Sequence, residues 1–155
     1  MNQVKEEYLD HWTNQIANQS RMNTYLILNR EYELAEYLIS VRDMKQRQVL
    51  TKYRLSDHNL AIETGRHRKT WLPKEQRICG HCQAEKVETE EHFLLHCKKY
   101  ENLRQTFFTN LKQSIPNFED ILDNDKLAII LGEGPSAALA AQYVLKCHNL
   151  RDSKQ

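Results

Sequence analysis

The stretch ICGHCQAEKVETEEHFLLHCKKY, residues 78–100, contains the pattern that decides the fold of this chain. In it, Cys79-x2-Cys82 is followed after nine residues by His92-x4-Cys97. A C-x2-C pair presents both sulfurs to one ion from a tight turn, and three thiolates with one imidazole leave no open position on a tetrahedral ion. The pattern therefore predicts one structural Zn²⁺ ion rather than a catalytic one.

The nine-residue spacer has the length of a short β-hairpin, which would pair residues 77–79 with residues 86–88. Glu90 and Glu91 are then predicted in the first turn of a helix, where the positive end of the helix dipole favours acidic side chains. His92 lies in the same turn, and we expect its imidazole to face the sulfurs.

The fourth ligand has two candidates. On an ideal α-helix Cys97 lies about 140° around the axis from His92, so Cys97 reaches the same ion only if the helix ends or frays before it. His96 lies on the same helical face as His92, so helix geometry favours a Cys2His2 site. His81, between the paired cysteines, is predicted to point away at the surface, and Cys147 is predicted to be a core residue of the last helix.

Length and composition exclude several classes of protein. The chain has 155 residues, 40% of them hydrophobic, which fits one globular domain. No apolar run approaches the roughly 18–20 residues of a membrane span, and the first residues form no secretory signal. We therefore expect an intracellular protein, nuclear or cytoplasmic, in which cysteines are metal ligands rather than disulfides.

Apolar spacing is mostly helical along the rest of the chain. Helices are predicted over residues 3–19, 31–44, 46–55, 100–115 and from 136 onward. We therefore predict a mainly α single domain over residues 1–155. Its N-terminal helices (1–76) and C-terminal helices (99–155) flank a small zinc-bound module of β-hairpin and helix at 77–98.

Positive charge is concentrated in one segment of a chain whose net charge is only +1. The basic segment, residues 42–77, has ten Lys and Arg against four Asp and Glu, a net charge of +6. Residues 1–41 have three Lys and Arg against six Asp and Glu, a net charge of −3. Such a block is either an electrostatic footprint for phosphates or a solvated helical face, and its position beside the cysteine motif favours the footprint.

The basic segment supplies the candidate contacts to phosphate. They are Arg54, His58, Arg66, His67, Arg68, Lys69 and Lys74. Their predicted role is to position a nucleic-acid backbone rather than to read bases. Trp71 is predicted to pack in the core, with stacking on an unpaired base as the alternative. Glu63 is predicted to orient Arg54 or Arg66 through an ion pair.

Three stretches carry a resemblance to a known family. They are LTKYRLSDHNLAIETGRHRK (50–69), VETEEHFLLHC (87–97) and KKYENLR (98–104). Together with the C-x2-C pair they resemble the zinc-binding segment downstream of the reverse transcriptase in non-long-terminal-repeat (LINE-like) retrotransposon polyproteins. The first contains the pattern R-L-S-x-H-x-L-x-I-E-x-G-R, and the resemblance extends more loosely over residues 20–151. It favours Cys97 over His96 as the fourth ligand.

The resemblance implies a region that follows the polymerase thumb and helps to hold template RNA or target DNA. This chain contains no paired aspartates of the polymerase type. The resemblance therefore implies either a piece of such a polyprotein or a stand-alone, domesticated descendant.

We expect a nonenzymatic zinc-binding domain that contacts RNA or DNA. The acidic cluster at 119–125 spans only seven residues at a helix boundary, so helix capping explains it better than a two-metal nuclease site. The alternative is a protein–protein interaction or dimerisation module. In that hypothesis zinc stabilises a helical scaffold, and the N-terminal helix with Tyr8, Trp12 and Ile16 docks a protein partner or a second copy.

Overall fold

The computed structural model describes residues 2–29, 33–67, 69 and 71–153. These residues are mainly helical, as predicted. The α-helices are α1 (Asn2–Ala17), α2 (Asn23–Leu28), α3 (Tyr37–Ser40), α4 (Met44–Arg54), α5 (Ala61–Thr64), α6 (Glu101–Leu111), α7 (Asp123–Ile130) and α8 (Ala137–Asp152). Short 3-10 turns lie at Ser20–Met22, Lys74–Gln76, Lys98–Tyr100 and Phe118–Asp120, and one π-helical turn spans His92–His96.

Helix α8 is the centre of the domain, and it packs against α3, α4, α6 and α7. Its buried stripe is Ala137, Ala140, Ala141, Tyr143, Val144 and Cys147. The three alanines let neighbouring helices approach closely, and the Tyr143 ring stacks on Phe107 with 4.5 Å between centroids. Cys147 is fully buried in this stripe, as its position in the apolar pattern predicts. No helix in the described part of the chain is long and apolar enough to cross a membrane.

Helix α4 begins and ends where its sequence dictates. The Asp43 carboxylate caps it by accepting from the backbone N–H of Gln46 at 2.8 Å. Val49, Leu50 and Tyr53 form the buried face towards α8. The chain leaves the helix at Ser56, whose φ of 53° cannot continue an α-helix.

The helix predicted over residues 31–44 is mostly wrong. Of its described part, only α3, a single turn, and Met44 at the start of α4 are helical. The chain is extended at Val41, with ψ of 108°, because Asp43 starts a new helix two residues later. Periodicity alone could not detect this break, since the apolar spacing continues across it.

The segment predicted as a zinc module contributes to the same core as the helices. Phe93 and Leu94 are fully buried. The Phe93 ring stacks on Tyr53 with 5.2 Å between centroids and meets Tyr100 edge-on at 4.7 Å. The Tyr143 hydroxyl donates to the carbonyl oxygen of Leu94 at 2.6 Å. Anything that disorders this segment therefore opens the main core.

Candidate metal centre

A short hairpin presents the first two cysteines. Ile78 and Val87 form an antiparallel bridge, within the residue pairs predicted from the spacer. The backbone N–H of Cys79 donates to the Lys86 carbonyl at 2.9 Å, and that of Glu88 donates to the Arg77 carbonyl at 2.9 Å. These two bonds fix the start of the C-x2-C turn.

The structure brings Cys79, Cys82, His92 and Cys97 together, and their ligand atoms all lie within 4.8 Å of one another. The Sγ atoms of Cys79 and Cys97 are 3.9 Å apart, and the Cys82 Sγ is 3.3 Å from the His92 Nε2. A tetrahedral ion with metal–sulfur bonds of about 2.3 Å holds its sulfurs about 3.8 Å apart. The four cysteines of the chain are free thiols. The cluster can therefore hold one metal ion.

A π-helical turn solves the problem that an α-helix poses for the fourth ligand. The backbone N–H of Cys97 donates to the His92 carbonyl, five residues back, at 2.7 Å. Cys97 itself leaves the helix, with φ of −64° and ψ of 125°. The wider turn and its extended end bring the Cys97 thiol to the same point as the His92 imidazole, where an α-helix would separate them by about 140°.

His96 lies outside this cluster. Its Nε2 is 3.1 Å from a carboxylate oxygen of Asp123 and 3.5 Å from one of Glu91, on a half-exposed surface. His81 also lies outside this cluster, as predicted, but it is not at an open surface. Its imidazole is partly buried, and it accepts from the Arg151 guanidinium at 2.8 Å.

Charged side chains behind the ligands hold them in position. One carboxylate oxygen of Glu88 lies 3.9 Å from the Cys79 Sγ. The other accepts from the backbone N–H of Ala61 at 2.7 Å and from Arg151 at 2.8 Å. The Arg104 guanidinium donates to the Cys97 carbonyl at 3.1 Å. Such outer contacts orient metal ligands, and here they tie them to α5, α6 and α8.

Metal binding is expected to strengthen steeply with pH. Burial raises the pKa of the Cys79 thiol and raises that of Cys97 to about 12, so both thiols are protonated at neutral pH without a metal. At least these two protons leave when an ion binds. The association constant for Zn²⁺ should therefore rise by at least about a hundredfold from pH 6 to pH 7. Calorimetric titration in buffers of different ionisation enthalpy counts the protons, and an association constant independent of pH would contradict this ligand set.

Glu90 is a buried carboxylate with three hydrogen-bond partners, and its pattern in the sequence did not predict this role. One of its carboxylate oxygens lies 3.1 Å from the Thr24 hydroxyl, 3.1 Å from the Ser56 hydroxyl and 3.0 Å from the His58 Nε2. Burial alone would raise the pKa of Glu90, but the hydrogen bonds from His58 and Ser56 outweigh it and hold the pKa below its ordinary value. The acid predicted in the first turn of a helix is therefore buried and bonded to α2 and to residues 56–58.

The R-L-S-x-H-x-L-x-I-E-x-G-R pattern of residues 54–66 is largely a docking surface for the metal segment. Ser56 and His58 bind Glu90, and the backbone at Ala61 binds Glu88. Gly65 has a steric reason too, since a Cβ there would lie 2.7 Å from the Arg77 side chain. These contacts hold residues 54–66 against the hairpin and the π-helical turn.

Two predicted phosphate contacts are wrong because their side chains are internal. Arg54 is only 2% exposed, and its guanidinium binds Glu133 at 2.8 Å, the Leu131 carbonyl at 2.8 Å and the Asn29 side chain at 2.7 Å. The His58 imidazole is wholly buried against Glu90. Arg54, one of the two alternative partners predicted for Glu63, pairs with Glu133 instead.

The other predicted contacts in the described part of the chain lie on the loop between α5 and the hairpin. His67, Lys69 and Lys74 are exposed. Arg66 is partly buried, and its Nε donates to Glu63 at 3.1 Å, one of the two ion pairs predicted for Glu63. Arg68 lies outside the described residues.

A cleft of about 390 Å³ lies between this loop, α2 and α5. Arg21, Arg66, Lys74 and Trp71 line it, with Glu63 among its buried walls. The favoured prediction for Trp71, core packing, is wrong, since its side chain is 66% exposed. The Arg77 guanidinium lies 6.0 Å from the centroid of the Trp71 ring and donates to the Leu72 and Ile62 carbonyls.

No family model matches this sequence, and no curated protein and no solved structure matches it. The resemblance to the retrotransposon segment therefore stays a prediction from the quoted motifs.

Proposed function

We propose that this protein is a nonenzymatic, zinc-stabilised domain that binds the phosphate backbone of RNA or DNA, derived from the segment after the reverse transcriptase of LINE-like retrotransposons. The observation that carries the proposal is the cleft, which gathers Arg21, Arg66 and Lys74 around an exposed tryptophan. Cations beside an exposed aromatic ring are the usual features of single-strand binding surfaces. The quoted sequence motifs support the origin.

Zinc is the ion that this donor set suits best. Three thiolates and one imidazole are soft to intermediate ligands, and zinc takes them in tetrahedral geometry. Four protein ligands leave no position for water or substrate, which is typical of a structural site. The ion would fix the hairpin and the π-helical turn relative to each other.

The metal segment would act on nucleic acid through the loop that it supports. Arg77 begins the hairpin, and its guanidinium donates to the Leu72 carbonyl at 2.8 and 3.0 Å. It also donates to the Ile62 carbonyl at 2.8 Å. The loop with Lys69 and Lys74 is therefore tethered to the hairpin, so a bound ion would present those cations in one arrangement.

The double variant Lys69→Ala, Lys74→Ala is expected to weaken nucleic-acid binding without lowering the melting temperature, because both side chains are exposed. Fluorescence anisotropy with labelled RNA and DNA at several salt concentrations measures the effect. The slope of log affinity against log salt should become shallower by about 1.4–1.8, given roughly 0.7–0.9 per phosphate contact.

The matched control is Lys112→Ala, Lys146→Ala, which removes the same charge from exposed positions on other elements. This control should change the slope much less. Absence of binding to every nucleic acid at low salt would overturn the proposed function.

A second candidate function is protein docking through α1, and Val4 favours it because its side chain is 75% exposed. Of the three side chains predicted to dock a partner, two face the domain instead. Ile16 is buried, and the Trp12 ring meets Tyr25 edge-on at 6.2 Å, so these two side chains hold α1 to the domain. Light scattering of the purified protein would reveal a second copy, and a monomer would remove self-association through α1.

A further inference from the structure

The cleft contains a buried carboxylate, one oxygen of which accepts no hydrogen bond among the described residues. Glu63 is 5% exposed, and one of its oxygens accepts from the Arg66 Nε at 3.1 Å. Its other oxygen, Oε2, makes no hydrogen bond among the described residues, and the Arg21 Nε lies 3.7 Å from it. A buried carboxylate oxygen without a donor is costly, so a ligand that brings an N–H group to it gains that interaction in full.

Arg21 lies 3.7 Å from this oxygen through its Nε, and its other contacts are also long. Its guanidinium lies 3.2 and 3.3 Å from the Ser56 carbonyl and 3.5 Å from Asp57, and the side chain is about half exposed. The Arg21–Asp57 pair is exposed on both sides and contributes little free energy. A phosphate at the mouth of the cleft competes well for the same guanidinium, and movement of Arg21 towards it uncovers the Glu63 oxygen.

We propose that the cleft binds one unpaired guanine of an RNA or DNA strand. The guanine edge donates its N1–H and amino N–H groups to Glu63, the ring lies against Trp71, and Arg21 and Lys74 contact the neighbouring phosphates. This inference rests on the proposed function and adds a base preference to it.

The carboxylate selects guanine among the bases by the order of donors along the base edge. Guanine presents two adjacent N–H donors, which an acceptor-only carboxylate matches. Adenine and cytosine present one amino group next to an acceptor nitrogen, and uracil presents one N–H between two carbonyls. Each of these alternatives places an acceptor against the carboxylate or leaves it with one bond.

The test compares three oligonucleotides of about ten residues with the zinc-loaded full chain: oligouridine, the same strand with one central guanosine, and the same strand with inosine there. Inosine keeps the N1–H but lacks the amino group. The guanosine strand should bind about tenfold more tightly than oligouridine, and inosine should lose most of that gain, since a hydrogen bond to a charged group is at stake.

Two variants assign the preference to the cleft. Trp71→Ala should weaken the guanosine strand about tenfold, the effect of removing one stacking platform, with an unchanged melting temperature because the ring is exposed. Tyr8→Ala is the matched control, since this half-exposed ring lies on α1 outside the cleft. Glu63→Gln should abolish the difference between guanosine and inosine strands.

Equal, salt-dependent affinity for all three strands would overturn the guanine site and leave the proposed function standing. Guanosine preference that survives both Trp71→Ala and Glu63→Gln would also overturn it, since the preference would then arise elsewhere. Failure of all strands to bind at low salt would overturn the guanine site and the proposed function together.

Discussion

Cys79→Ser is expected to abolish zinc binding and to lower the melting temperature by about 10 °C or more. The reason is that the metal segment is part of the main core. Phe93 and Leu94 of the π-helical turn are fully buried, and Phe93 stacks on Tyr53 of α4. Without the ion, the strand pairing in the hairpin that carries Cys79 amounts to one bridge between Ile78 and Val87. Metal content and a thermal melt measure the two effects.

Cys147→Ala is the matched control for this prediction. It also removes one buried thiol, but from the core of α8 rather than from the cluster. It should retain one equivalent of zinc. Its free energy of unfolding should fall by only about 1 kcal/mol, because the substitution leaves a small cavity. A Cys79→Ser protein with a full equivalent of zinc and an unchanged melting temperature would refute the structural role of the site.

Arg54→Ala is expected to lower the free energy of unfolding by about 2–4 kcal/mol, because it removes a large buried side chain and leaves the buried Leu131 carbonyl without this donor. The guanidinium joins Glu133 at 2.8 Å, the Leu131 carbonyl and Asn29, and it lies 4.8 Å from the Tyr37 ring centroid. These contacts connect α4 with the ends of α2 and α7. The nucleic-acid affinity of the fraction that remains folded should not change. Urea unfolding and anisotropy measure the two quantities.

Lys52→Ala serves as the control, since it removes a cation from the same last turn of α4 at an exposed position. Surface changes of this kind usually alter stability by less than about 0.5 kcal/mol. If Arg54→Ala kept full stability and bound nucleic acid more weakly, Arg54 would be a phosphate contact after all.

The sequence predicted the hairpin of the metal centre because a C-x2-C pair and a nine-residue spacer allow few other paths. It could not choose between His96 and Cys97, because helical periodicity assumes α-geometry. The structure has a π-helical turn at that point, with the bond from Cys97 to the His92 carbonyl. That bond leaves no trace in the apolar pattern.

The sequence could not show which cations of the basic segment are buried, because a count of charges carries no information about ion pairing. Arg54 pairs with Glu133, which is far away in the chain, and His58 pairs with Glu90. The Arg77 guanidinium donates to backbone carbonyls. Nothing in the sequence marks Glu88 and Glu90 as buried acids, because their partners Arg151 and His58 lie far away in the chain.

The most direct test of the central claim is the metal content of the full chain by native mass spectrometry, with His96→Ala and Cys97→Ala beside the natural sequence. The cluster of Cys79, Cys82, His92 and Cys97 predicts one zinc ion in the natural sequence and in His96→Ala, and none held stably in Cys97→Ala. Zinc retained by Cys97→Ala and lost from His96→Ala would contradict the ligand set, and a natural sequence that takes up no zinc would contradict the metal centre itself.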